Sequence, residues 1–155
     1  MRELTILFLL RDNEILLAMK KRGFGAGRYN GVGGKVEPNE TIEQAAVREC
    51  EEEIAVTPKQ IEKVAEITFD EQHQGVREEL RAHVFVCHHW TGGPVETEEM
   101  APAWFAVDAI PYDQMWADDP FWLPAVLAGK RVSCRFTLDA NDQVAAHEVV
   151  EGTKF

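Results

Sequence analysis

The sequence lacks the excess of positive charge that proteins binding nucleic acids or anionic membranes carry on their surfaces. Its 16 lysines and arginines stand against 27 aspartates and glutamates, so the formal net charge at pH 7 is −11. We therefore expect no nucleic-acid partner and no membrane partner, because such surfaces need a basic footprint. A phosphate ligand is expected to arrive together with a metal ion.

Cysteines and long apolar runs are also scarce. The three cysteines are widely spaced and none belongs to a C-x-x-C motif, which argues against a disulfide framework and against a zinc knuckle. The first apolar run, Leu4 to Leu10, is followed at once by charged residues and predicts a strand, since a membrane span or signal segment would be longer. We expect a cytoplasmic protein in which Cys87 and Cys134 are buried thiols.

The remaining pattern predicts a layered α/β or α+β architecture. The chain has 155 residues, 45% of them hydrophobic, so we expect residues 1–155 to form a single domain. Polar and charged residues predict a loop over 70–79, and turn-forming residues predict hairpins at 12–13 and 139–142. The predicted strands are 4–10, 14–19, 61–69, 80–88, 104–107, 132–138 and 144–150, and the predicted helices are 41–54 and 121–128.

A glycine-rich segment follows the second predicted strand. Between Lys20 and Gly34 it holds six of the eleven glycines, and it begins with three consecutive bases. This composition suits a loop that closes over a ligand, and it equally suits a plain flexible loop.

The helix predicted after this segment carries a group of acids. Thr41 and Gln44 fit a capping box at its start. Glu49, Glu52 and Glu53 lie at i, i+3 and i+4, so they share one face beside an apolar stripe. Carboxylates crowded in this way repel one another unless a cation lies among them, and oxygen ligands favour magnesium, manganese or calcium over zinc. An acidic solvated face is the alternative.

The spacing of six residues in this region resembles the Nudix box, the signature of the Nudix hydrolases. These residues are Gly34, Glu40, Arg48, Glu49, Glu52 and Glu53. The sequence departs from the box at Cys50, where an aliphatic residue is usual, and at Ala55, where a glycine usually ends the helix with positive φ. Alanine there is expected to cost about 1 kcal/mol or to let the helix run on.

This resemblance implies an α/β/α Nudix sandwich with a mixed β-sheet, and a hydrolase that depends on Mg²⁺, with Mn²⁺ as a possible substitute. Glu49, Glu52, Glu53 and Arg48 would be the catalytic residues. Metal ligands would be Gly34, through its carbonyl, and the side chains of Glu49, Glu52, Glu53 and Glu99. We expect Arg48 to orient Glu52, its i+4 neighbour, through a bidentate pair. The general base is Glu52 or Glu53, and Glu99 is alternatively a solvated loop acid.

The segments 20–36, 94–105 and 110–122 resemble animal MutT-type members of the family. That resemblance implies a small nucleotide substrate, 8-oxo-dGTP or 2-hydroxy-dATP, cleaved to the monophosphate and pyrophosphate by a monomer. Asn30, Trp116, Asp118 and Asp119 would read the base: the indole stacks on a purine, and two adjacent acids in a pocket raise the pKa of one of them. Phe24 and Phe69 would be pocket walls, and Thr5 and Lys20 stand at pocket positions.

Alternatives remain for these residues and for the function. Asp119 before Pro120 also fits a helix N-cap, Trp116 also fits a core residue, and Phe24, Phe69, Thr5 and Lys20 also fit packing or surface roles. The loop predicted at 70–79 is polar where the animal proteins are aromatic, so identical substrate breadth is not expected. Other hypotheses are a Nudix enzyme for another nucleoside triphosphate or diphosphate derivative, and a catalytically silent nucleotide-binding module.

Overall fold

The computed structural model describes residues 1–73 and 75–155, and the side chains of Gln72 and His73 lie outside the described part. Its helices are α1 (Ile42–Ile54) and α2 (Asp119–Leu127), with a short 3₁₀ turn at Tyr112–Gln114. Its strands are β1 (Arg2–Arg11), β2 (Glu14–Lys20), β3 (Tyr29–Asn30), β4 (Thr57–Lys59), β5 (Glu62–His73), β6 (Val76–Cys87), β7 (His89–Thr91), β8 (Met100–Ala106), β9 (Val132–Leu138) and β10 (Val144–Glu151).

Most of the strands form one mixed sheet, as the resemblance implied. Its order is β10-β9-β5-β6-β1-β2-β3, with β8 on the other edge of β2. The β1/β6 and β5/β9 pairs are parallel, with Leu7 opposite Phe85 and Ile67 opposite Cys134, and the remaining pairs are antiparallel. The strands β4 and β7 form a separate two-stranded ribbon.

The two helices cover opposite faces of the sheet because side chains alternate along each strand. Leu7 and Leu9 of β1 join Cys50 and Ile54 in the cluster under α1. Phe8, between them in sequence, joins the other cluster, which contains the α2 residues Trp122 and Leu123. The result is an α/β/α sandwich. Neither helix in the described part of the chain has the length and apolar character of a membrane span.

A gap between β1 and β2 positions the candidate site. The two strands pair only near their turn, at Leu10 with Ile15 and at Arg11 with Glu14. Beyond that point the segment after β3 lies against β1, where Val32 bridges Leu7 and Lys35 bridges Leu4. The glycine-rich segment thus enters the sheet and leads directly into α1.

The predicted loop at 70–79 is wrong for its described residues. The strands β5 and β6 run through this segment, with Asp70 opposite Glu79, whereas Gln74 lies outside the described residues. Arg135 of β9 donates to Asp70 Oδ2 at 2.8 Å and to Glu79 Oε2 at 3.3 Å. Charges that indicate a loop in the sequence are therefore a cross-strand ion-pair cluster on an exposed sheet face.

Both ends of α1 follow local chemistry. The Thr41 hydroxyl accepts from Gln44 N–H at 3.1 Å, and Gln44 Oε1 accepts from Thr41 N–H at 2.8 Å, which confirms the capping box. Ala55 has φ 60° and ψ 34°, and its N–H donates to Glu51 O at 3.1 Å. Alanine therefore ends the helix in the left-handed conformation that a glycine usually adopts.

Candidate active site

The gap beside β1 opens into a cavity of about 510 Å³. All of the predicted substrate-binding residues line it, although they come from four separate segments of the chain. They are Thr5, Lys20, Phe24, Asn30, Phe69, Trp116, Asp118 and Asp119. Gly34 and Glu53 line it as well, so the cavity extends from the base-reading candidates to the acidic helix.

Arg48 binds several of the box glutamates at the edge of this cavity. Its Nε and Nη2 donate to the two carboxylate oxygens of Glu40 at 2.8 and 2.9 Å. Its Nη1 donates to Glu49 Oε1 at 2.9 Å and to Glu52 Oε2 at 3.2 Å. The expectation of a bidentate pair with Glu52 is wrong, because the loop before α1 folds back and presents Glu40 to the guanidinium. These bonds lower the pKa of Glu40 to about 2.

Glu53 lies on the same helix and has a different environment. It is 4% exposed, and its Oε1 accepts from Gly33 N–H at 2.8 Å. Burial and, to a smaller extent, the charges of Glu49 and Glu99 raise its pKa to about 8 despite that hydrogen bond. Burial also raises the pKa of Glu49, which Arg48 opposes. The charge of Glu99 thus acts on both carboxyl groups, although its own side chain is exposed beside Arg22.

Two glycines allow this close arrangement. A Cβ on Gly33 would collide with Thr5 O of β1, and a Cβ on Gly34 would lie 2.7 Å from Glu49 Oε1. The Gly34 carbonyl oxygen accepts from Thr5 N–H at 2.9 Å, which occupies one of its two lone pairs. The backbone of the glycine-rich segment is therefore packed directly against the carboxylates of α1.

The donor set at this end consists of carboxylate and carbonyl oxygens. Among the described residues, no three histidine, cysteine, aspartate or glutamate side chains converge closely enough to form a metal site by themselves. The close contact of Gly34 with Glu49 and the mutual repulsion of Glu49 and Glu53 nevertheless fit a hard divalent cation, which would stabilise both ionised groups.

The other end of the cavity holds a buried pair of aspartates at the start of α2. Asp118 Oδ2 accepts from the indole N–H of Trp122 at 2.8 Å, and burial raises the pKa of Asp118 to about 6. Asp119 is 2% exposed, and its pKa lies well above the usual range because of burial and the charge of Asp118. Within the described residues, Asp119 Oδ2 has no hydrogen-bond partner.

This geometry decides two of the open alternatives. Asp119 is the first residue of α2, and Asp118 occupies the N-cap position without a side-chain capping bond, so the N-cap interpretation of Asp119 is wrong. Trp116 is half-buried and lines the cavity, whereas the fully buried tryptophan is Trp122. Trp116 is therefore a wall residue and not a core residue.

Trp116 is held by two side chains of the glycine-rich segment. The ring centroid of Phe24 lies 5.3 Å from that of Trp116, and the Arg28 guanidinium lies 4.2 Å from it. Asn30 Oδ1 accepts from Gly31 N–H at 2.8 Å, so the NH₂ group of Asn30 is the end that can donate to a ligand. This wall thus combines an aromatic surface with a hydrogen-bond donor.

Sequence reasoning missed four charged residues that line the cavity, namely Arg2, Arg28, Lys35 and Glu71. Arg28 lies in a segment predicted only as a loop, and Arg2 lies just before the first predicted strand. Glu71 follows Phe69 by two positions in β5, so strand alternation places both on one face. That signal was hidden because the segment was predicted to be a loop.

A sandwich of this topology, with a glycine-rich segment and an acidic helix beside one cavity, defines a Nudix-type hydrolase. The family model for the NUDIX domain matches residues 1–126, and the chain belongs to the Nudix family. Two curated relatives, both named oxidized purine nucleoside triphosphate hydrolase, match nearly the whole chain. The one from Danio rerio is 43% identical over 148 residues, 96% of this chain and 94% of the relative. The one from Mus musculus is 40% identical over 151 residues, 97% of this chain and 96% of the relative.

Solved structures agree on the fold. A MutT protein from Bacillus halodurans matches with a TM-score of 0.84 at 20% identity, covering 96% of this chain and 97% of that protein. This similarity supports the sandwich architecture alone. Nudix hydrolases generally use a divalent metal such as Mg²⁺.

Proposed function

We propose that this protein hydrolyses oxidised purine nucleoside triphosphates, such as 8-oxo-dGTP and 2-hydroxy-dATP, to the monophosphate and pyrophosphate. The main observation behind this proposal is that one cavity has two chemically different ends. A carboxylate-rich helix suited to a cation lies at one end, and a buried aspartate pair with an aromatic wall lies at the other. The two relatives named for this activity, at 43% and 40% identity, support the same conclusion.

The base would bind between Trp116 and the aspartates. The indole face offers stacking area, and the Asn30 amide offers a donor to a carbonyl oxygen of the base. A protonated and an ionised aspartate side by side offer one donor and one acceptor, a pairing that suits the mixed edge of an oxidised purine. Binding of the base would place the triphosphate toward the glycine-rich segment and α1.

At the phosphate end, Glu49, Glu52, Glu53 and Glu99 would hold Mg²⁺ together with the Gly34 carbonyl. Bound there, the cation would neutralise phosphate charge and make phosphorus more electrophilic. Arg48 would fix the orientations of Glu49 and Glu52 through its hydrogen bonds. Water would add to one phosphorus of the linkage between the monophosphate and pyrophosphate groups, and its proton would pass to Glu52 or Glu53. The bond from that phosphorus to the bridging oxygen would break, and its electrons would leave on the departing phosphate group.

We also propose that residues 1–155 act as a single-domain monomer in the cytoplasm, without a nucleic-acid or membrane partner. The net charge of −11 supports the last point, since it opposes binding to anionic surfaces. Light scattering on the purified protein at micromolar concentration should give the mass of one chain, 17.5 kDa.

The test of the activity is a product analysis with four nucleotides. The purified chain is incubated with 8-oxo-dGTP, 2-hydroxy-dATP, dGTP and dATP, each with and without Mg²⁺. We expect the oxidised nucleotides to give monophosphate and pyrophosphate only when Mg²⁺ is present. Equal rates on dGTP and 8-oxo-dGTP would preserve the reaction and remove the preference for oxidised substrates. No pyrophosphate from any nucleotide would favour a silent binding module. The departure from the box at Ala55 gives no support to that alternative, because Ala55 ends α1 in the left-handed conformation that the box glycine usually adopts.

A further inference from the structure

Glu71 is a further carboxylate in the cavity, besides Glu53 and the aspartate pair. Phe69, two positions earlier in β5, packs against the α2 cluster, and Glu71 lines the cavity with it. Asp70, between the two, points to the opposite face of the sheet, where it accepts from Arg135 at 2.8 Å. The same strand thus presents two adjacent acids to two different environments.

The surroundings of Glu71 indicate that a ligand with hydrogen-bond donors belongs there. The cavity brings Glu71 together with Asp118 and Asp119, and the charge of Glu71 contributes to the raised pKa of Asp118. Asp119 Oδ2 is buried without a hydrogen-bond partner among the described residues, and such an acceptor is costly unless a ligand satisfies it. The negative charge of Glu71 therefore acts on the same part of the cavity as the aspartate pair.

We propose that Glu71 is a specificity-determining residue that favours purines carrying an additional N–H donor over the unmodified purines. 8-Oxoguanine carries a hydrogen on N7, where guanine carries a lone pair. A carboxylate accepts a hydrogen bond from the first group and repels the second. This inference rests on the proposed function, because it assigns a residue that chooses among nucleotides at the same site.

The experiment compares Glu71→Gln with the matched control Asp70→Asn, which removes the same charge from the opposite face of β5. For each protein kcat/KM is measured with 8-oxo-dGTP and with dGTP. We expect Glu71→Gln to lower the preference for 8-oxo-dGTP about tenfold, the scale of one hydrogen bond to a charged acceptor. Asp70→Asn should leave the preference unchanged. An unchanged preference in folded Glu71→Gln overturns the inference and leaves the proposed function in place.

A binding measurement separates the two claims. Calorimetry with 8-oxo-dGMP and dGMP requires no turnover, so it reports on Glu71 even in a protein without hydrolase activity. Selective binding of 8-oxo-dGMP that Glu71→Gln abolishes would support the inference even where the proposed hydrolysis fails. Failure to bind 8-oxo-dGMP more tightly than dGMP would overturn the inference, whereas the product analysis decides the proposed hydrolysis. If Glu71→Gln does not fold, Glu71→Asp serves instead, and its shorter side chain should give a lower preference for 8-oxo-dGTP than that of the wild type.

Discussion

The two ends of the cavity both carry clustered carboxyl groups, and they differ in the partners that surround them. Next to the α1 end Arg48 lies among the box glutamates and lowers the pKa of Glu40 to about 2, although Glu53 is the box glutamate that lines the cavity itself. At the base end the hydrogen-bond partner of Asp118 is the neutral indole of Trp122, and burial raises the pKa of Asp118 to about 6 and that of Asp119 further. The same chemical group, a carboxyl, therefore has a lowered pKa at one end and a raised pKa at the other.

Glu53 connects the two environments. It belongs to the acidic helix, yet it is buried, and its carboxylate accepts a hydrogen bond from Gly33 N–H and none from the Arg48 guanidinium among the bonds of the described residues. Its pKa is raised to about 8. The pKa of a carboxyl group in this motif is therefore set by its burial and its nearest partner, and its position in the motif does not determine it. Chemistry and specificity are thus expected to respond separately to mutation.

The substitution Glu53→Gln is expected to have the largest effect, which is a loss of turnover. Removing this carboxylate should lower kcat on the order of 10³-fold, because both candidate roles, metal ligation and general base, require its charge. Affinity for 8-oxo-dGMP should change little, which single-turnover kinetics and calorimetry would measure. Glu51→Gln is the control, since Glu51 is exposed on the same helix and bonds Thr57 at 3.1 Å. A change in substrate preference in place of turnover would contradict the separation of the two ends.

Trp116→Ala should act at the base end and leave the chemistry intact. Loss of a stacking surface is expected to raise KM about tenfold for every purine nucleotide, with a much smaller change in kcat. Steady-state kinetics with the four nucleotides would measure it. Trp104→Ala is the control, because Trp104 stacks on Trp90 at 5.8 Å and under Arg11, away from the residues that line the cavity. A fall in kcat with unchanged KM would place Trp116 outside the base site.

Stability should respond with opposite signs at the two ends. The pKa of Asp119 is higher in the folded protein than in the unfolded chain, so its ionisation opposes folding, and Asp119→Asn should raise Tm at pH 8. The pKa of Glu40 is lowered, so its ionisation favours folding, and Glu40→Gln should lower Tm at pH 8.

The pH profile provides the control for this prediction. Well below about pH 3.9, the unfolded value, Asp119 is protonated in both states, so the gain from Asp119→Asn should disappear there. The contribution of Asp118 should likewise be lost as pH rises from about 3.9, the unfolded value, through about 6. The Glu40 contribution should instead be lost as pH falls toward about 2. Thermal unfolding from pH 3 to 8 would measure the Tm of both variants. Changes of Tm with the same sign for Asp119→Asn and Glu40→Gln at pH 8 would contradict the proposed difference between the two ends.

The smallest expected effect is on Ala55→Gly. Ala55 has φ 60°, which costs a non-glycine residue about 1 kcal/mol, and the greater freedom of glycine in the unfolded chain offsets part of the gain. The free energy of unfolding should rise by about 0.5 kcal/mol, with unchanged kcat. Ala128→Gly is the matched control at the end of α2, where φ is −83° and no gain is expected. Equal effects at both positions would mean that the left-handed conformation of Ala55 is not strained.

Much of the fold was predictable because its signals are local. The hairpins β1/β2 and β9/β10, the limits of α1 and its capping box follow from turn residues, periodicity and caps within a few positions of one another. The short strands β3 and β4 are too brief for any periodicity to register. The extension of β5 and β6 was also missed, because Asp70 and Glu79 indicate a loop until Arg135, from a distant strand, pairs with them.

The sequence by itself determined which chemical groups are present and which of them share a helix face: the spacing of Glu49, Glu52 and Glu53 is a covalent fact. Tertiary structure alone decided that Arg48 pairs with Glu40, that Glu71 enters the cavity, and that Asp119 Oδ2 is buried without a hydrogen-bond partner among the described residues. The physical reason is that periodicity and capping act over a few residues, whereas desolvation and charge pairing depend on whatever segment packs alongside. Ionisation, and with it the proposed division of the cavity into two ends, is therefore a property of the folded chain.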